Sequence, residues 1–219
     1  MSPVCPLRRR LMGAFTAVTV AACTVPAVAA GTAPAPLSAD ARTLVEWVGR
    51  SANNAGAPFL VIDKRQARVW VFDDHARPLG SSPVLLGSAI GDDTAPGVGD
   101  KPLSEVKPEE KTTPAGRFVI ENGRNLRNED VFWIDYDAAV SMHRVLTTNP
   151  KERRLERLAT PTPADNRISF GCVNVPVRFF EQTLVPTFSR AKGAVAYVLP
   201  ETRPLRSVFA FAPGGAAAP

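Results

Sequence analysis

Cys172 and His143 are the two residues whose types could together do covalent chemistry. A thiol with an ordinary pKa of ~8.5 is only a few per cent thiolate at neutral pH, so a nucleophilic cysteine needs a base or a cation beside it. The chain holds three cysteines and two histidines. Cys5 and Cys23 fall in an N-terminal segment that reads as removable, which would leave Cys172 without an intramolecular disulfide partner. His75 falls in Asp73-Asp74-His75-Ala76-Arg77-Pro78, a composition typical of an exposed turn, which leaves His143 as the candidate base. A lone thiol also fits a plain role as a small buried hydrophobe. The run Ile168-Ser169-Phe170-Gly171-Cys172-Val173-Asn174-Val175-Pro176 speaks for more, because Gly171 permits close backbone approach and Asn174 sets a polar side chain in an apolar, strand-like stretch. Neither a Ser-His-Asp arrangement nor a metal site of several His or Cys can be assembled, and Cys–His acyl transfer remains.

The elements that must position this pair read as mostly strands. A helix is expected over about Ala39 to Arg50, capped by Ser38 or Asp40, with Leu44, Val45 and Val48 as its apolar stripe. Phe59 to Asp63 and Ala67 to Phe72 form a hairpin around Asp63-Lys64-Arg65-Gln66, and a third strand is expected from about Pro83 to Gly87. Gly91 to Asp100 is rich in Gly, Pro and Asp and reads as a surface loop; its acids Asp92 and Asp93 suit turn formation or a cation. Strands over Phe118–Glu121, Val131–Tyr136 and Ala139–His143 follow, and His143 ends the last of them.

Between His143 and Cys172 a helix is expected over Lys151 to Leu158, with Asn149 as cap, Pro150 at its first position and Glu152 completing a capping box. Leu155 and Leu158 would face the body and Arg153, Arg154, Glu156 and Arg157 the solvent. Such a helix serves equally as a solvated connection or as a lid offering Arg154 and Arg157 to substrate carboxylates. A helix from Pro176 to about Val185, a strand over Ala194–Leu199 and a disordered tail over 201–219 complete the chain.

Arg8, Arg9 and Arg10 precede an uncharged run that ends in Ala27-Val28-Ala29-Ala30, the pattern of a secretory signal peptide over 1–30. Val20-Ala21-Ala22-Cys23 is the competing lipoprotein box, and a lipidated Cys23 would be the one route to a membrane tether. Either route exports the chain to the periplasm or cell envelope. The leader holds those three arginines and no acid, so its removal takes the net charge from +5 to +2. A nucleic-acid partner is thereby dropped. Residues 31–57 read as linker and N-terminal helix, and 58–200 as one catalytic domain with a single core.

Ser169-Phe170-Gly171-Cys172-Val173-Asn174, the strand-end His143 and the turn Thr112-Thr113-Pro114-Ala115-Gly116-Arg117-Phe118 together resemble the L,D-transpeptidase catalytic-domain family, over roughly Pro58 to Pro200. The family's signature is a His followed later by Ser/Thr-His-Gly-Cys-x-Asn/Arg. Phe170 stands where that signature has His, and the gap from His143 to Ser169 is longer than usual. The resemblance implies a mainly β, β-sandwich-like catalytic fold with a few short helices, and peptidoglycan stem peptides as partner. It implies Cys172 as nucleophile, His143 as base and the Arg144 carbonyl as partner of the imidazole. Backbone groups at Phe170 and Gly171 would serve the oxyanion, and Ser169 and Asn174 would contact substrate. No metal or organic cofactor is called for. An L,D-carboxypeptidase using water as acceptor, a catalytically silent peptidoglycan-binding module and a structural protein with a buried thiol are the rivals. N-terminal sequencing of exported protein is expected to start near Ala30 or Gly31; a lipid-modified Cys23 would select the lipoprotein route instead.

Overall fold

The computed structural model describes residues 35–191 and 193–211. The expected leader, its cleavage sites, Cys5, Cys23 and the last eight residues lie outside them. No helix among the described residues is long and apolar enough to cross a membrane.

Helix α1 (Ala39–Ser51) opens with Ser38, whose hydroxyl accepts from the Ala41 amide at 3.1 Å, and closes at Ala52 in a left-handed conformation. Ala41, Leu44 and Val48 form its buried stripe. Strands β1 (Phe59–Asp63) and β2 (Arg68–Phe72) make the expected hairpin. They are followed by β3 (Pro78–Pro83) and the short β4 (Leu86–Gly87), where a single strand from Pro83 to Gly87 was expected. Pro, Gly and Ser carry little strand propensity, and β3 tolerates them because it lies at a sheet edge. Strands β5 (Gly116–Val119), β6 (Glu121–Arg124), β7 (Asp130–Asp135) and β8 (Val140–Arg144) lead to the segment carrying α2 (Arg154–Ala159). Then come β9 (Arg167–Ser169), β10 (Val173–Val175), the helical run α3 (Val177–Phe179) to α4 (Val185–Phe188) with a π-helical turn between them, β11 (Val195–Val198) and α5 (Leu205–Val208).

The architecture is mainly β, as expected. One sheet runs β3-β2-β1-β11-β5 and a second β10-β8-β7-β6, with β4 paired to β9 apart from them. Leu60, Ile62, Val69 and Val71 of the first sheet meet Phe132, Ile134, Val140, Met142, Val173 and Val175 of the second, together with Phe180, Leu184 and Phe188. The opposite face of the first sheet, with Phe59, Val61, Trp70, Phe72 and Tyr197, packs on α1 and on Leu205 and Phe209. Both faces are thus covered, which accounts for the unbroken apolar run of β1.

Two expectations at the ends of the domain are corrected. Trp70 Nε1 donates to Ala35 O and the Ala35 amide to Ser81 Oγ, so the described end of the expected linker is tied to the sheet. The segment expected to be disordered from 201 is ordered as far as Phe211, because Phe209 and Phe211 complete the second core beside Trp47 and Tyr197.

A buried charge cluster anchors that segment. Lys64, in the β1–β2 turn, is 1% exposed and donates to Asp92 Oδ1 and Thr113 O, both at 2.9 Å, and to Gly91 O. Asp92, expected as a surface turn or cation residue, also accepts from the amides of Glu201, Thr202 and Arg203 and from the Thr202 hydroxyl. Glu201 pairs with Arg167 and lies 3.5 Å from Lys64. Burial by itself would raise the pKa of Asp92; the donors Thr202 and Lys64 and the backbone overcome it and hold the carboxyl well below the usual range. A depressed folded-state pKa contributes stability that is complete above the unfolded value of ~3.9 and is lost as pH falls below it. Asp92→Ala, which leaves a buried ammonium short of its carboxylate, should cost about 3–5 kcal/mol in urea unfolding at pH 7. The loss should shrink on moving toward pH 3, where the wild-type carboxylate is itself losing its advantage.

Candidate active site

Strands β8 and β10 run parallel, with Val173 opposite Met142, Asn174 opposite His143 and Val175 opposite Arg144. Cys172 stands immediately before β10 and therefore comes beside Ser141, two residues ahead of His143 on the same face of β8. Its Sγ lies 3.5 Å from the Ser141 amide, 3.7 Å from the Ser141 hydroxyl and 3.5 Å from Ala139 O. His143 Nδ1 is 2.7 Å from the Arg144 carbonyl. A carbonyl only accepts, so this contact puts the ring proton on Nδ1 and the lone pair on Nε2.

The thiol is partly exposed at the surface and feels two opposed effects. Burial of the sulfur pushes its pKa up. The hydrogen bond and charge of His143, with the Ser141 amide and hydroxyl, pull it down, and the net direction is below the ordinary value. On its outer flank the imidazole lines a cleft of about 270 Å³ together with Glu129, Asp130, Val131, Arg144 and Leu146.

The turn carrying Cys172 is held from within. The Ser169 hydroxyl donates to Cys172 O at 2.6 Å and accepts from the Gly171 amide at 3.1 Å. Thr113 Oγ1 donates to Gly171 O at 2.7 Å. Gly171 has φ of +129°, and a Cβ there would stand 2.9 Å from Thr112 O, so both backbone conformation and space require glycine. Phe170 is 38% exposed with the Lys111 ammonium 4.0 Å above its ring.

Several expected roles change once the residues are placed. Ser169 and Asn174 were expected to contact substrate; Ser169 is 3% and Asn174 0% exposed, and both are spent on internal hydrogen bonds. The Gly171 amide, expected to serve an oxyanion, is taken by Ser169. Among the described residues the amides of Phe170 and Cys172 have no acceptor. The expected helix Lys151–Leu158 is instead a 3-10 turn (Pro150–Glu152) and α2, broken by Arg153 at φ of +48°. Asn149 does cap the first turn, but Glu152 bonds Arg154 rather than closing a capping box. The break turns Leu155 outward, 59% exposed, while Leu158 packs on Leu85 and Val145. Arg157, expected to be solvated, donates to Glu152 O and Asp165 O. Arg154 is also inward, and Arg153 alone of the three arginines stays wet, beside Glu156. His75 lies exposed in its turn beside Asp74.

Ser141 and Thr113 were not singled out in advance. Ser141 carried a signal in its spacing, since i and i+2 on a strand share a face. Thr113 stood in the turn that carries the family resemblance, but its role had no local mark, because its hydroxyl reaches Gly171 across 58 residues of sequence.

No family model matches the chain, and no curated protein matches it. Solved structures do. L,D-transpeptidase catalytic domains are among them: the L,D-transpeptidase (Yku) from Stackebrandtia nassauensis is 14% identical over 66% of this chain and 56% of its own, at a TM-score of 0.38. The catalytic domain of the E. faecium L,D-transpeptidase is 16% identical over 66% of this chain and 98% of its own, at 0.35. The helical cell shape determining protein Pgp2 from Campylobacter jejuni is 14% identical over 72% and 55%, at 0.41. The chain spans little more than half the length of the first and last of these.

Because the thiolate is the reactive form, a lowered pKa means that reactivity persists as pH falls below ~8.5. Alkylation of folded protein by iodoacetamide should therefore show a midpoint below that value, and Ser141→Ala should move the midpoint up. A wild-type midpoint at or above ~8.5 would leave the plain buried-thiol account standing.

Proposed function

We propose that the protein is an exported cysteine acyltransferase acting on peptidoglycan stem peptides, an L,D-transpeptidase working through a thioester. The observation that carries this reading is geometric: the β8–β10 pairing brings the Cys172 thiol to the face of β8 that carries an imidazole whose Nδ1 is fixed on a backbone carbonyl. The stem-peptide substrate is supported by the Ser169–Asn174 motif and its upstream histidine.

In this mechanism the Cys172 thiolate attacks the carbonyl at the L-centre of diaminopimelate in a donor tetrapeptide. The oxyanion develops toward the amides of Cys172 and Phe170, the two that the turn leaves without an acceptor, and donors placed where charge develops act on the transition state itself. His143, having taken the thiol proton on Nε2, gives it to the nitrogen of the departing D-Ala. The tripeptide remains as a thioester on sulfur. A side-chain amine of a second stem then attacks, loses its proton to His143 and returns the thiol. The cleft that His143 lines is where that acceptor would approach. Water in the same cleft would make the enzyme an L,D-carboxypeptidase, and the two outcomes differ only in the product.

Incubation with a stem tetrapeptide should add one acyl-tripeptide to the intact mass of the wild type and nothing to Cys172→Ser. His143→Ala should slow acylation by about two to four decades, the usual cost of losing a general base, and His75→Ala should be silent. Folded wild-type protein that is neither alkylated quickly nor gains acyl mass would favour the wall-binding module.

A further inference from the structure

Arg154 belongs to the segment that separates the base from the nucleophile in sequence, yet its side chain points back between them. It is only 13% exposed. Nε is held by Glu152, and Nη1 donates to Asn174 Oδ1 at 2.5 Å. Asn174 is fully buried opposite His143. A primary amide has one accepting and one donating end, and a guanidinium is a donor only, so Arg154 can be served only by the oxygen. Nδ2 is thereby aimed at His143 Nε2 and at Cys172 O, each at 3.4 Å.

The arginine is itself firmly held. Leu158 packs on Leu85 and Val145, Arg157 bonds Glu152 O and Asp165 O, and Asn149 caps the turn that precedes it. Arg154 therefore projects from an anchored segment.

We infer that Arg154 is a positioning residue, which selects the orientation of the Asn174 amide and through it holds the His143 imidazole ready to accept the proton of Cys172. With Nδ1–H on the Arg144 carbonyl, Nε2 carries the lone pair. A donor at Nδ2 favours the tautomer with that lone pair on Nε2, and at 3.4 Å it engages the lone pair only loosely, so the thiol can displace it. The amide rotated by half a turn would present Oδ1, and two acceptors facing one another call for a proton on Nε2. An imidazole so protonated cannot take the proton of the thiol. The inference rests on the Cys172–His143 reading but not on its substrate.

The test is the rate of Cys172 alkylation by iodoacetamide at pH 7 in full-length protein, which needs no peptide. Arg154→Met and Asn174→Ala should each lower the rate on the order of tenfold, as loss of orientation does, and the double variant should be no slower than the slower single one. Arg154→Lys, which keeps a donor, should restore most of the rate. Arg153→Met removes a solvent-exposed charge from the same segment without touching Asn174 and should leave the rate unchanged. A wild-type rate in folded Arg154→Met, multiplied losses in the double variant, or an equal loss in Arg153→Met would each overturn the assignment. Should Arg154→Met fail to fold, Arg154→Gln and Arg154→Lys decide by the same comparison with Asn174→Ala. Arg154 dependence in a protein that gains no acyl mass from a tetrapeptide would sink the stem-peptide reading alone.

Discussion

The site depends on one backbone constraint, the parallel pairing of β8 with β10. It sets Asn174 opposite His143 and, two residues earlier, brings the Cys172 sulfur to the Ser141 amide. A slip of one residue would send each of these side chains to the opposite face of the sheet. Parallel neighbours also cannot be joined by a tight turn; they require a crossover of a dozen residues or more. The long segment from Val145 to Cys172 is therefore a topological necessity. What this chain has added is its content, a broken helix whose Leu158 seats it and whose Arg154 returns to the strand it leads to.

The turn of Cys172 is fixed from its other side by a path of hydrogen bonds that begins in the buried charges. Lys64 joins Asp92 to the Thr113 carbonyl, and the Thr113 hydroxyl holds Gly171 O while accepting from the Gly87 amide. Burying ions is expensive, and well-packed apolar side chains of the same volume often serve stability as well. Hydrophobic contacts lack direction, however, and could not specify the tilt of a peptide unit beside the reactive sulfur. The cluster ties the β1–β2 turn, the loop at Asp92 and the segment at 201–203 to one point, and the geometry of Gly171 is built on it.

Local chemistry made part of this legible in advance. The Ser38 cap, the hairpin around Lys64 and the strand that carries His143 were all readable, because capping and alternation act within a few positions of themselves. The strand β3 was not, since its Pro, Gly and Ser acquire strand geometry from pairing with β2 rather than from propensity. Lys64 and Asp92 look like solvated turn residues until they are seen to face each other 28 positions apart. The ordered end of the chain escaped for a similar reason: Phe209 and Phe211 lie in a polar, proline-bearing stretch, and only the second face of the first sheet gives them a place to go. Arg154 was noticed as a charge, but its direction follows from the break at Arg153, and a left-handed arginine carries no mark in the sequence.

Phe170 shows how the remaining balance is struck. An aromatic ring where the related motif carries histidine removes a polar group from the nucleophile's turn, and the Lys111 ammonium resting on that ring brings a positive charge back to the same edge of the site. The forces that lower the thiol's pKa come nevertheless from His143 and Ser141, working against burial. A charge-assisted hydrogen bond at a partly buried sulfur is worth more than the same bond in open water, but only while its donor stays aligned. Alignment of the imidazole is what the Arg144 carbonyl on one nitrogen and the Asn174 amide near the other provide. The surroundings of Cys172 are therefore set by the paired strands and their crossover more than by the six-residue motif in which the cysteine is found.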